Sequence, residues 1–204
     1  MRIDVSMPLR KGAVFRLGTP PVDVATRRFR HAAEGDYETT MLSLPAHAAT
    51  HVDLVRRDLS FGPDRMFGAG KLIDVSGKDD GAVVSLAEVE RQATPAPGDF
   101  VFFRTDWSRF AGSDRYYRHP ELSEDVVRWL IAGKVNAVGI DALGLGRDGN
   151  HGRFDRWLVD NGIFIVENLV HLDAIPPGPF RVCCMPLNVE NVDALPARVV
   201  VETP

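Results

Sequence analysis

The run FVFFRT, residues 100–105, constrains this chain more than any other segment. It is too apolar for a strand that shows one face to water, so it has to lie inside a sheet covered on both sides. The residues before it, SLAEVERQAT, carry a helix. Ser85 and Glu88 have capping-box spacing, and Leu86, Val89 and Ala93 share one face. Pro95 ends that helix, and PAPGD turns the chain into the strand. The next unit repeats the logic. Ser123 caps a helix whose first turn holds Glu124 and Asp125, whose buried stripe is Val126, Val127, Leu130 and Ile131, and whose end is Gly133. A strand at 136–141, a short helix at 154–161 closed by Gly162, and a strand at 163–167 follow.

Further β-rich runs at 2–7, 39–44, 71–75, 181–187 and 197–202 bring the expected strands to eight. Strands crowd the first third and last quarter, while helices alternate with strands between. The fold class expected is therefore α/β, a mixed sheet with packed helices, not a pure doubly wound fold. No linker, repeat or low-complexity tract divides residues 1–204, so one domain is expected.

Charge and cysteine usage narrow the function. Lys and Arg total 24 against 28 Asp and Glu, a net charge of −4, which gives nucleic acid no field to follow. No run of about 18 apolar residues offers a membrane span, and no apolar leader follows the basic start, so a cytoplasmic protein is expected. Cys183 and Cys184 are neighbours on a strand, point to opposite faces and share no bridge.

The chemistry concentrates in LPAHAATHVDLVRR, where His47, His51 and Asp53 fall within seven residues. On a helix Asp53 would point about 200° away from His51, and one ion would not gather all three. On extended chain His51 and Asp53 share a side and His47 joins from the preceding loop. Zinc peptidases share the His-x3-His spacing but place a Glu after the first His, where this chain has Ala48. Two imidazoles and a carboxylate suit Zn2+ or Mn2+ and leave positions for water or substrate. Two buried or solvated histidines and a capping Asp are the alternative reading of the same letters. Other polar groups read blandly: His119 as a surface or packing residue, His151 as a loop residue among Gly149, Asn150 and Gly152, and His31 and His171 without ligand-like neighbours. Arg27, Arg28 and Arg30 read as a solvated loop, and Phe103, Trp107 and Phe110 as core or as an aromatic pocket.

Around these residues the chain resembles the metal-dependent hydrolases of the cyclase family, a group that includes bacterial kynurenine formamidase and isatin hydrolase. The family signature is His-x-Gly-Thr-His-x-Asp-x-Pro-x-His. This chain runs from His47 through Ala49, Thr50, His51, Asp53 and Val55 to Arg57, and DFVFFRTDW, NAVGID, NGIFIVENL and RVCCMPLNVENVDALPARVV resemble further family blocks in the same order. The resemblance implies first-metal ligands at His47, His51 and Asp53, and a metal-supporting carboxylate at Glu167. It puts Asp155 where the formamidases have a second-metal His, so one or two ions are implied. Arg57 takes the place of the signature's proton-carrying His. Arginine cannot shuttle a proton at working pH but suits an anion, so Arg57, Glu167 and Asp155 are the catalytic candidates. The implied activity is hydrolysis of a C–N bond in a small amide or cyclic amide, arylformamidase-like as in tryptophan catabolism. Two alternatives stand beside it: a non-catalytic relative binding a small anion through Arg57, and a proton-transfer or dehydration enzyme using the same metal. The implied architecture is a swivelling β/β/α-type single domain in a homodimer or homotetramer, with a small-molecule substrate and sites near the subunit interface.

Overall fold

The strands of this chain, in a computed structural model that describes residues 1–204, are β1 (Arg2–Asp4), β2 (Asp23–His31), β3 (Gly35–Ser43), β4 (His51–Asp53), β5 (Phe67–Asp74), β6 (Val83–Val84), β7 (Phe100–Arg104), β8 (Glu121–Leu122), β9 (Ala137–Ile140), β10 (Phe164–Glu167), β11 (Phe180–Pro186) and β12 (Ala194–Glu202). The helices are α1 (Leu86–Glu90), α2 (Glu124–Ala132) and α3 (Asp148–Asp160). Eight strands form one sheet in the order β1-β12-β11-β5-β7-β9-β10-β4. The run β5, β7, β9, β10 is parallel and the other pairings are antiparallel, so the sheet is mixed. β4 also pairs with β12, and this second partner curls the sheet into a closed wall.

Closure gives the sheet an inside and an outside, and the two-residue period of each strand sorts side chains between them. From β7, Phe100 and Phe102 fill the closed interior with Val52, Val166, Val182 and Val199. Val101 and Phe103 face outward, with Val138, Ile140 and Ile165, onto the buried stripe of α2 and the Phe154 and Leu158 side of α3. The apolar run at 100–103 is thus buried on both faces, as its composition demands. Gly139 occupies the inner face of β9 because a Cβ there would lie 2.5 Å from the Phe102 ring.

The helix signals hold where they were local. The Ser85 backbone N–H donates to Glu88 at 2.9 Å, and Ser123 Oγ accepts from Val126 N–H. Two readings are corrected. Arg27, Arg28 and Arg30 lie on a strand, not in a loop: β2 and β3 form a nine-residue-by-nine hairpin whose β3 is exposed throughout. Arg28 pairs across it with Glu38 at 3.0 Å, and Phe29 stacks on Tyr37. The third helix begins at Asp148, not near 154, so it includes Gly149 and Gly152. Each glycine costs about 1 kcal/mol relative to alanine in a helix. Glu121 offsets that cost by holding the first turn, accepting from the Arg147 backbone N–H at 2.9 Å and from Asn150 Nδ2 at 3.3 Å.

Candidate metal centre

The register between β4 and β10 builds the site. His51 lies directly opposite Glu167, and Asp53 opposite Ile165. Val52 and Val166 point into the closed interior, so alternation sends His51, Asp53 and Glu167 to the other face, at the C-terminal end of β10. His47 reaches the same place from the turn before β4, with its ring edge-on to His51 at 5.1 Å between centroids. The donor atoms of His47, His51 and Asp53 lie within 4.8 Å of one another. Those of His151, Asp155 and Glu167 do likewise. Glu167 links the two triads, with Oε2 3.4 Å from His51 Nε2.

His151 therefore differs most from its sequence reading. It is not a loop residue: the backward extension of α3 puts it one turn before Asp155, with Nε2 3.6 Å from Asp155 Oδ2. Gly144 lies against its ring, where a side chain would overlap the imidazole.

The hydrogen bonds leave donor atoms turned toward a cation. His51 Nδ1 donates to the Ala49 carbonyl at 2.9 Å, which leaves its buried Nε2 as a lone pair without a partner. Asp155 Oδ1 and Glu167 Oε1 are also buried and unpaired. Unpaired buried polar atoms are costly, and here three of them meet at one place. Burial, and then the charges of Glu167 and Asp53, push the Asp155 carboxyl up to about 9. Burial and Asp53 hold Glu167 well above the carboxylate range. Burial also pushes Asp53 up, but His47, His51 and the Val55 N–H more than offset it and keep Asp53 low. Burial lowers His51, so its imidazole is neutral. Imidazole lone pairs and crowded carboxyls that a divalent ion would relieve are a donor set that could bind a metal.

A layer behind the ligands was not legible in the spacing. Asn168 is fully buried. Its Nδ2 donates to the Ala49 carbonyl at 3.1 Å, the same oxygen that takes the His51 proton, and its Oδ1 accepts from Tyr116 O–H at 2.6 Å. Thr50 O–H donates to the Asn168 carbonyl at 2.6 Å. Ala49 has φ +54 and Val55 φ +62. Alanine thus keeps, at some strain, a left-handed turn that glycine adopts freely, whereas Val55 takes a conformation closed to proline.

A cavity of about 330 Å³ opens over the donors, walled by Arg16, Leu17, Tyr117, His119, Leu143 and Arg147 among others. His119 is buried in this wall instead of lying on the surface, and its Nδ1 bonds the Pro120 carbonyl. Arg57 is exposed and absent from the wall, and Arg16 and Arg147 are the arginines that reach it. Phe103 and Trp107 belong to the core, with Phe110 packed against it, and line no part of this cavity.

The family model for Cyclase, described as "Putative cyclase", matches residues 3–147. The chain belongs to that family. Kynurenine formamidase of Salinibacter ruber is 27% identical over 212 residues, covering 97% of this chain and 95% of the relative. That of Bacillus cereus is 24% identical over 208 residues, covering 98% and 96%. A crystal structure of an isatin hydrolase bound to the product analogue thioisatinate shares the fold with a TM-score of 0.81 at 20% identity, covering all of this chain and 92% of that one.

Proposed function

We propose that this cyclase-family protein is a metal-dependent hydrolase that cleaves the C–N bond of a small aryl formamide or cyclic amide, holding its ions with His47, His51 and Asp53 on one side and His151, Asp155 and Glu167 on the other. The observation that carries the reading is the lone pair of His51 Nε2, buried without a partner and fixed by the Nδ1 bond to Ala49, beside the unpaired oxygens of Asp155 and Glu167. The kynurenine formamidases, similar over nearly their whole length, support a formamide as substrate. Zn2+ or Mn2+, one or two ions, fits the donors. When bound, such an ion polarises the amide carbonyl and lowers the pKa of water.

The chain's residues supply the rest. Water adds to the formyl carbon, the C–N bond breaks, formate departs, and the amine nitrogen takes a proton. Asp155 and Glu167, whose carboxylates stand among the donors, are the groups placed to take the proton from the attacking water and pass it to that nitrogen. Arg57 lies outside the cavity and is not needed for it, which leaves the anion-binding alternative through Arg57 without support. The exposed β2–β3 hairpin, marginal on its own in water, supports self-association into a homodimer or homotetramer. No helix is long and apolar enough to cross a membrane, and a cytoplasmic setting belongs to the same reading. The test is metal analysis of the purified protein together with formate release from aryl formamides and ring opening of isatin. Bound Zn2+ or Mn2+ with turnover abolished in His51→Ala is expected. Absence of metal, or turnover indifferent to His51, would refute the reading.

A further inference from the structure

Arg16 is the one arginine of the cavity wall whose charge is unspent. Arg147, the other, donates to the Gly81 carbonyl at 3.0 Å and lies 3.6 Å from Glu121. Arg16 makes no side-chain hydrogen bond or ion pair, yet its charge acts on His51, His151, Asp155 and Glu167. It is also well placed by its backbone. The base of its loop is closed by Gly12 N–H to the Val22 carbonyl at 2.8 Å and Val22 N–H to the Ala13 carbonyl at 2.9 Å. Its own carbonyl accepts from Thr19 Oγ1 at 2.7 Å, closing a tight turn at the tip.

The carboxylates nearby do not claim it. Asp53, Asp155 and Glu167 are the acids of the two triads, and two divalent ions there would more than neutralise three carboxylates. Asp148 also lines the cavity but forms no ion pair with Arg16, so with the ions in place Arg16 lines the cavity with no carboxylate of the protein bonded to it. Tyr117, Leu17 and Leu143 form the apolar part of the remaining wall, beside the polar His119, Arg147 and Asp148. An exposed cation beside a small apolar patch is the complement of a flat apolar group bearing one negative charge.

We propose that Arg16 determines specificity by pairing with a carboxylate carried on the substrate's aromatic portion, so that the enzyme prefers anionic aryl formamides over neutral ones. This deepens the formamidase reading and rests on it for the reaction, though not for the binding. The experiment compares 2-formamidobenzoate with formanilide as substrates, and anthranilate with aniline as ligands in calorimetric titration, using metal-loaded wild type, Arg16→Gln and Arg16→Lys. Arg16 is exposed and unpartnered, so the variants should fold as wild type does. The expected result is a KM for 2-formamidobenzoate raised about tenfold in Arg16→Gln, with kcat nearly unchanged, formanilide unaffected, and partial recovery in Arg16→Lys. Anthranilate affinity should fall by a similar factor. Equal KM values for the anionic substrate in wild type and Arg16→Gln, or equal losses for both substrates, would overturn the proposal. Anthranilate binding that depends on Arg16 without any formamide turnover would overturn the formamidase reading and the substrate preference, and uphold the carboxylate pairing alone. Turnover indifferent to Arg16 would do the reverse.

Discussion

Asn168 offers the sharpest test of how the site is held. Its side chain sits between Tyr116 O–H at 2.6 Å and the Ala49 carbonyl at 3.1 Å, and the same carbonyl receives the His51 Nδ1 proton. Asn168→Ala removes both bonds in a fully buried place. The Tyr116 hydroxyl is left without an acceptor, at a cost of about 1–3 kcal/mol. The backbone adds to this, because residue 168 has φ +58, which asparagine tolerates better than alanine by about 1 kcal/mol. The metal-stripped protein should therefore lose about 3 kcal/mol in urea unfolding. Loosening the Ala49 carbonyl also frees the His51 ring, and partners of this kind typically support about 10–100-fold in metal affinity. Chelator-competition titration with Zn2+ reads that loss directly. Tyr116→Phe should cost less, and the double variant little more than Asn168→Ala alone, since both remove the same bond. If Asn168→Ala unfolds within about 0.5 kcal/mol of wild type and binds Zn2+ equally tightly, Asn168 does not position His51.

Three further outcomes follow from the same geometry. Gly144→Ala puts a methyl into the space of the His151 ring and 3.2 Å from Glu167 Oε1, so the metal content per chain should fall; an unchanged stoichiometry would remove His151 from the ligand set. Burial pushes His119 down to about 4 from an ordinary 6.5, so the unfolded chain takes up a proton that the fold refuses. Its stabilising share is complete above about pH 6.5 and is lost as pH falls toward 4, by about 3 kcal/mol. The acid limb of the stability curve should be shallower in His119→Gln, and parallel limbs would exclude His119 as its source. In the metal-stripped protein Asp155 stays protonated up to about 9 where the unfolded chain ionises near 3.8. That contribution is complete below the lower value and is lost as pH rises toward the higher one. Zn2+ binding at pH 7 should accordingly release at least one proton, measured by calorimetry in two buffers of different ionisation enthalpy; release of none would contradict the protonated pair.

The sequence was most legible where a signal was local or periodic. Ser85 with Glu88, Ser123 with its acidic first turn, and the run at 100–103 each reported a structure that needs no distant partner to define it. Of the β2–β3 hairpin only part of β3, the run at 39–44, was read as a strand; β2 was missed because it is largely exposed and carries Arg27, Arg28 and Arg30, so it shows little of the half-buried alternation that marks a packed strand. Closure of the sheet was equally out of reach, since it depends on β4 finding β12 more than 140 residues away.

The site shows why chain-neighbour logic goes only part of the way. His51 and Asp53 were readable because two-residue spacing on a strand fixes a shared face. His151 was set aside because glycines at 149 and 152 weaken a helix, and the propensity argument is sound as far as it goes. What overrides it is Glu121, from a different strand, bonding Arg147 and Asn150 and so stabilising the turn that propensity alone would unwind. With that turn formed, an imidazole stands four residues before Asp155 and faces the same donors. The formamidase pattern that the chain resembles has its histidine at position 155, and here an aspartate takes that place while His151 brings an imidazole in from one turn away. The substitution at 155 thus reads as damage only while the helix is thought to begin after His151. Arg57 carries the opposite lesson. Its place in the motif suggested a role, but the chain turns at Val55 and leaves it exposed, away from the cavity wall. Arg16, which no motif singled out, occupies that wall instead. A position in a linear signature specifies a side chain's role only as far as the backbone continues in the conformation the signature presumes, and here that continuity ends at Leu54.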